Sequence, residues 1–319
     1  MKKATKKLIV SAIVLVVVLT LATATTYAWF TMDDEPEVEG FDVNVTSVDG
    51  LYISLMPENN GDPASTVKGA LGTFRAYVTG EEVIAAIQAY NNGVYLDSET
   101  NELKTLTHGT TADGMIFTAP EGVKEASDAE TNHYTFRLYF YSTNEYKVKL
   151  NPDVSSVTSI PGGVAPVAAW ADGLSYEYGS WDDSEEQFVT EQKEFDLGDS
   201  ITADAKDAVR IAFKDGSTTN IWDPNPNTGF VDNTADGNIA FDYYNFVSKT
   251  DLVLGEPMAN TVTAEVVLTT LTGSQTAGYF GYLDITIWLE GWDANAFNSI
   301  LNDTIITNLI FKGEVEVEG

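Results

Sequence analysis

His108 and His133 are the only imidazoles in the chain, and cysteine is absent. Each histidine stands in a polar stretch with no second metal ligand at helical spacing, so both are expected at the surface. Without a thiol there is no thiolate nucleophile, no thiolate metal site and no disulfide. The HExxH pattern that puts two imidazoles and a general base on one helix face is missing, which leaves a zinc protease without support. No G-x-S-x-G elbow presents a serine. The 48 acidic residues pair by chance at almost any spacing. A glycosidase places its two carboxylates through the fold, so spacing carries no signal for one. A protein without catalytic function is expected.

Binding chemistry has two sequence candidates. Asp232-Asn233-Thr234-Ala235-Asp236-Gly237-Asn238 partly matches a DxDxDG loop, in which alternate oxygens ligate calcium and glycine allows the sharp turn. Position three is Thr234, however, and the twelfth residue is Tyr243 rather than glutamate, so an ordinary polar turn is expected. No cofactor is expected, and calcium at this loop is the one ion considered. Asp182, Asp183, Glu185 and Glu186 read as a solvated charge run. Six tryptophans raise sugar stacking as the second candidate. Trp288 alternates within an apolar strand and belongs to a core, and Trp292 follows at the strand end. Trp170, Trp181 and Trp222 lie near predicted loops, where an adhesin or carbohydrate-binding module would expose them.

The elements that must position these residues are mostly strands. Phe41 to Val48 alternates apolar and polar residues. Asp49-Gly50 is a hairpin-type turn, and Leu51 to Leu55 returns. A strand is expected over Thr73 to Val78, then a helix from Glu81 to Tyr90. Thr79 and Glu82 have capping-box spacing, with Val83, Ile84, Ile87 and Tyr90 on one face and Asn91-Asn92-Gly93 as the stop. Tyr134 to Tyr141 and Tyr146 to Leu150 are aromatic and β-branched strands around a turn. Ser155 to Gly163 reads as a loop and candidate boundary, and residues 182–207 as an acidic, solvated insertion. Val209 to Phe213 and Thr219 to Trp222 form a hairpin, and Pro224 to Asn238 a loop. Ile239 to Phe246, Thr261 to Leu271, Tyr279 to Leu289 and Thr304 to Phe311 are further strands. A short helix follows Asp293, with Ala296, Phe297, Ile300 and Leu301 inward. The expected fold is mainly β: an antiparallel sandwich of jelly-roll type with short helical inserts.

With 17 basic against 48 acidic residues the net charge is −31. Nucleic acid is therefore not an expected partner, nor an anionic membrane surface, since both attract basic patches. Hydrophobic residues still make up 44% of the chain, too much for a disordered acidic tail and enough for a substantial core.

The charge is unevenly spread. Lys2, Lys3, Lys6 and Lys7 head the chain, an uncharged run follows from Leu8, and no acid appears before Asp33. This order of basic head, apolar run and small residues is that of a secretory signal. Cleavage is expected between Ala28 and Trp29, in the frame Thr26-Tyr27-Ala28. The alternative frame, Ala22-Thr23-Ala24, cuts between Ala24 and Thr25. If uncut, Leu8 to Ala28 is long enough to span a bilayer, with the lysines inside and the rest outside. The membrane is met only through this segment. The domains are accordingly 1–28 as signal or anchor and 29–319 as an extracellular body, which begins at −35 once the four lysines are removed.

Glu35-Pro36-Glu37-Val38-Glu39-Gly40 resembles the terminal Glu314-Val315-Glu316-Val317-Glu318-Gly319. Alternating acids suit a charged edge that resists aggregation, or a segment that adds to a neighbouring subunit's sheet.

The opening stretch, with Thr26-Tyr27-Ala28-Trp29-Phe30-Thr31 at its junction, is similar to signals cut by the SipW-type signal peptidase. Proteins carrying such signals include the camelysin/TasA family of Firmicutes surface and matrix proteins. The likeness is specific over Lys2 to Thr31 only. It implies a jelly-roll sandwich that self-associates into biofilm-matrix fibres, the mature amino-terminal segment completing the next subunit's sheet. In this chain that assembly strand would include Trp29, Phe30, Phe41, Val43 and Val45. Camelysin's metalloprotease classification has no zinc motif here to carry it. The resemblance thus implies a secreted or surface-bound bacterial protein.

Overall fold

Alternation along the first and last strands decides the architecture. In the segment Phe41 to Val48, Val43 and Val45 have no exposed surface and Ser47 is buried, while Asp42, Asn44 and Thr46 face outward. In the last strand Ile305, Thr307, Leu309 and Phe311 are buried and the residues between them half-buried. A period of two places one set of side chains on each face of a pleated strand.

These elements belong to a computed structural model. It describes residues 37–315 apart from 49, 56–73, 112, 119–125, 164–166, 169–173, 183–186, 197, 202–203, 217, 226–259, 292, 294–295, 297–299 and 301. The strands of the first half are β1 (Glu37–Val48), β2 (Tyr52–Ser54), β3 (Tyr77–Val78), β4 (Thr105–Gly109), β5 (Glu130–Thr131), β6 (Tyr134–Ser142), β7 (Tyr146–Leu150), β8 (Ser156–Ile160) and β9 (Val167–Ala168). Those of the second are β10 (Leu174–Asp182), β11 (Gln187–Phe195), β12 (Ser200–Ile201), β13 (Val209–Asp215), β14 (Thr218–Trp222), β15 (Thr269–Thr270), β16 (Thr272–Ser274), β17 (Gly278–Glu290) and β18 (Asp303–Val315). Helix α1 spans Gly80–Ala89, and a helical turn α2 spans Ala205–Ala208.

The chain is mainly β, with two facing sheets. In the first, β1 lies between β18 on one side and β3 and β4 on the other, and β18 continues to β8 and β7. In the second, β17 is flanked by β13 and β6, with β14 and β2 beyond them. β4 joins the two. Its Leu106 and Thr107 pair with β1, and its His108 and Gly109 pair with the end of β17. Phe311 of the first sheet packs its ring 5.3 Å from Phe140 and 5.8 Å from Phe213 of the second, both edge-on. Such aromatic pairs add to the area they bury.

The sheets are mixed rather than purely antiparallel. β1 runs parallel to β18, and β4 runs parallel to β5 and β17. Parallel neighbours need long connections, and here the connection between β1 and β18 is almost the whole described chain. The segment 155–163, expected as a loop, contains β8, whose Val157 joins the core. Its alternation is carried by Ser and Thr, which mask it. Thr261 to Leu271 is not one long strand; only Thr269–Thr270 pairs, and Thr272–Ser274 continues it. Val262, Leu268 and Leu271 are nonetheless buried, so the apolar residues seal the core from an irregular segment.

Within the acidic stretch 182–207, β11 pairs with β10, which leads into it, from Leu174↔Phe195 to Asp182↔Gln187. At its end Ala205 of α2, and Ala208 just beyond, are fully buried in the main core. Helix α1 matches its expectation closely. Glu82 Oε2 accepts from Thr79 N at 2.9 Å, the reaching-back half of a capping box. Val83 and Ile87 are buried. The chain then reverses through Asn91, Asn92 and Gly93 at φ 45, 63 and 82, a left-handed conformation that asparagine and glycine tolerate best.

Candidate functional site

The expected assembly strand is where the structure can be read first. Val43 and Val45 of β1 sit in the main core beside Thr307 and Leu309 of β18, and Phe41 packs against it, its ring 5.4 Å from Tyr134. The pairing continues to Val48↔Lys312. Of the residues assigned to this strand, Trp29 and Phe30 lie outside the described residues, as do both cleavage frames. Among the described residues the two acidic ends do not pair with each other. β1 and β18 start together, at Val38↔Asp303, so Glu314 lies beyond the end of β1 and pairs with Lys147. Lys149, almost buried, binds Glu314 and also Glu265 at 3.1 Å. Parallel pairing thus separates the like charges that antiparallel pairing of these ends would oppose.

A groove on the outer face of the second sheet is the second place. β6 and β17 turn Thr135, Arg137 and Tyr139, and Tyr282, Asp284 and Thr286, to this face, because the core takes the alternate residues. Arg137 Nε and Nη2 donate to the two Asp284 oxygens at 2.7 and 2.8 Å, and its guanidinium lies 4.2 Å from the Tyr282 ring centre. The bidentate bond raises the Arg137 pKa further, so the guanidinium stays charged. The reversal after α1 carries Tyr90 and Asn91 over the sheet. They separate two adjoining cavities, one of about 350 Å³ and one of about 660 Å³.

The smaller cavity is walled by rings. Tyr95 stacks with Tyr90 at 6.1 Å, and Phe117 stacks on His133 at 4.3 Å. Phe117 is held there by a turn in which Asp113 Oδ1 accepts from Met115 N at 2.8 Å and Ile116 N at 2.9 Å. These bonds keep the Asp113 carboxyl below its usual range. Phe117 also covers Trp288, which forms a small second core with Ala212 and Ile221. Trp288 is therefore core as expected, but on the opposite face from the main one. Tyr134 donates its hydroxyl to the Lys104 carbonyl and so fixes the rim residue Lys104. Lys214 of β13 lines the same cavity.

The histidines and Trp222 correct the sequence reading. His108 is 2% exposed, because β4 lies where the two sheets join. His133 is mostly buried under Phe117, and burial pushes its pKa down to about 4, so the ring is neutral at pH 7. Trp222 is buried in the main core, because it ends β14 on the inward face. It cannot stack on an external sugar.

A buried charge cluster closes the same sheet at its far end. Arg210 Nη2 lies 2.7 Å from Asp293 and 3.1 Å from Asp223. Burial opposes the Arg210 charge, but Asp293, Asp223 and Glu290 outweigh it and raise its pKa. Burial pushes the Asp207 and Asp223 carboxyls up. Asp303 accepts from Gly162 N and Ala205 N at 2.7 and 3.0 Å, tying α2 to β18. Such fully bonded carboxylates hold elements together.

Among the described residues no grouping of acidic and histidine side chains could hold a metal ion. The loop Asp232 to Asn238 lies outside them, as do the side chains of Trp170, Trp181 and Trp292. No described helix is long and apolar enough to cross a membrane. Comparison with protein-family models, curated proteins and solved structures finds no match. The groove was not legible in sequence. Its residues come from separate segments, and only Tyr90 stood out, as part of a helix face.

Proposed function

We propose that this is an exported, non-enzymatic structural protein of a Gram-positive-type bacterium, a subunit of surface or biofilm-matrix fibres that assembles by exchange of its first strand. The supporting observation is the place of β1. It is the first described strand, yet it lies inside a sheet with neighbours on both sides. A terminal strand in an interior slot can leave and be replaced by the same strand of another copy with every hydrogen bond remade. The glycine turn at Gly50 (φ 74) is the hinge about which β1 would swing out. The jelly-roll form of the sandwich, kinship with the camelysin/TasA family and release of β1 by signal cleavage belong to the same proposal. If the signal is retained, the protein is membrane-anchored instead.

The absence of cysteine offers a clean test. Thr46 lies opposite Ile310 across the seam, on the outer face. A Thr46→Cys, Ile310→Cys chain beginning at Trp29 is incubated until filaments form, then oxidised. Exchange predicts a ladder of covalent multimers on a non-reducing gel. Filaments that dissolve into cross-linked monomers would overturn the mechanism.

A further inference from the structure

We propose that the groove under Tyr90 and Asn91 binds an acidic sugar, a saccharide ring carrying a carboxylate or sulfate. The chain has 48 acidic and 17 basic residues, so an exposed cation should find a carboxylate. Five described cations do: Arg75 pairs with Glu82, Arg137 with Asp284, Lys149 with Glu314, Lys206 with Asp207 and Arg210 with Asp293. Lys104 and Lys214 form no ion pair among the described residues, and both line the smaller cavity. Asp284, the carboxylate in that lining, is already bound at both oxygens by Arg137. Asp113, on the adjoining turn, is engaged by two backbone N–H groups. Asp97 lies near enough to Lys104 to feel its charge, and Asp284 stands opposite Lys214 on β17, but neither carboxylate forms a salt bridge with them. The cavity lining therefore carries two lysines without an ion pair inside a strongly acidic protein.

The rest of the lining fits a sugar rather than a bare ion. Tyr90, Tyr95 and Phe117 offer rings against which the C–H face of a pyranose can lie. Asn91, Thr131 and the Thr135–Thr286 hydroxyl pair, 2.9 Å apart, offer donors and acceptors to its hydroxyls. His133 Nδ1 has no hydrogen-bond partner in the lining. The two cavities, about 350 and 660 Å³, are of the size that holds small ligands. The concave shape, walled by the reversal after α1, favours a ring over an extended acidic peptide. This site is separate from the β1 seam, so the two proposals stand or fall apart.

The test is titration calorimetry on the full chain with four probes: trigalacturonate, a chondroitin sulfate disaccharide, galactotriose and hexaglutamate. One or both acidic sugars should bind, and the neutral sugar should bind about tenfold more weakly or not at all. Affinity should fall as salt rises. Which acidic sugar binds assigns the charge to carboxylate or sulfate. Lys104→Gln with Lys214→Gln should lose about tenfold for the acidic probe, and Tyr90→Ala should weaken it independently of salt. The lysine variant should keep its thermal midpoint, since neither lysine forms a salt bridge among the described residues. Equal binding of galactotriose, hexaglutamate as tight as the sugars, no binding by any probe, or an unaffected double-lysine variant would each overturn the proposal.

Discussion

Val45 of the first strand and Leu309 of the last lie side by side in parallel register, and neither has any exposed surface. Removing two methyl groups there leaves a cavity between the chain's ends. Val45→Ala is expected to cost about 2 kcal/mol, read as a lower urea midpoint at unchanged m-value. If β1 exchanges, the same substitution should shorten filaments, because donor and acceptor share this contact.

Gly313 and Tyr146 form a second dependency. Gly313 leaves a gap in the inward row of β18, and the Tyr146 ring fills it from β7. A Cβ at 313 would run into that ring. Gly313→Ala should destabilise by about 1–3 kcal/mol. Tyr146→Ala in the same background should add less than it does alone, which a double-mutant cycle measures.

Arg210 neutralises carboxylates that water cannot reach. Arg210→Met leaves Asp293 and Asp223 buried without their cation, a loss of about 3–5 kcal/mol. Adding Asp293→Asn should restore part of it. Equal midpoints for wild type and Arg210→Met in chemical denaturation would show that the cluster is solvated.

His133 gives stability a pH dependence of known sign. Burial puts its folded pKa at about 4, below the ordinary imidazole value of about 6.5, so the unfolded chain binds the proton first. Stability is full above pH 6.5, falls as pH drops through this window and levels off below about 4, for a total of roughly 3 kcal/mol. Asp207 and Asp223 act oppositely. Their folded pKa values are raised, so protonation favours the fold and their unfavourable contribution grows as pH rises through those values. His133→Phe, which keeps a ring against Phe117, should flatten the slope between pH 6.5 and 4.

The sequence determined β1, β6, β7, β13, β14, β17 and β18 as strands, but not β4, β8, β10 or β11. Alternation over Phe41 to Val48 placed Val43 and Val45 on one face, and Thr79, Glu82 and the Asn-Asn-Gly stop bounded α1. These are local signals, set by period two, by capping and by left-handed φ. Pairing is not local. That β1 would run parallel to β18, and that β4 would serve both sheets, follows from how the residues between them close the core.

The candidate site divides the same way. The apolar first strand was visible as a candidate for assembly, but its interior slot was not. His108, His133 and Trp222 were misplaced because a polar neighbourhood in sequence says little about what packs above a side chain. The groove draws Lys104, Phe117, Arg137 and Lys214 from distant segments, and only tertiary structure brings them together. Charge composition set the excess of acids over lysines; the fold decided which two lysines would line one cavity.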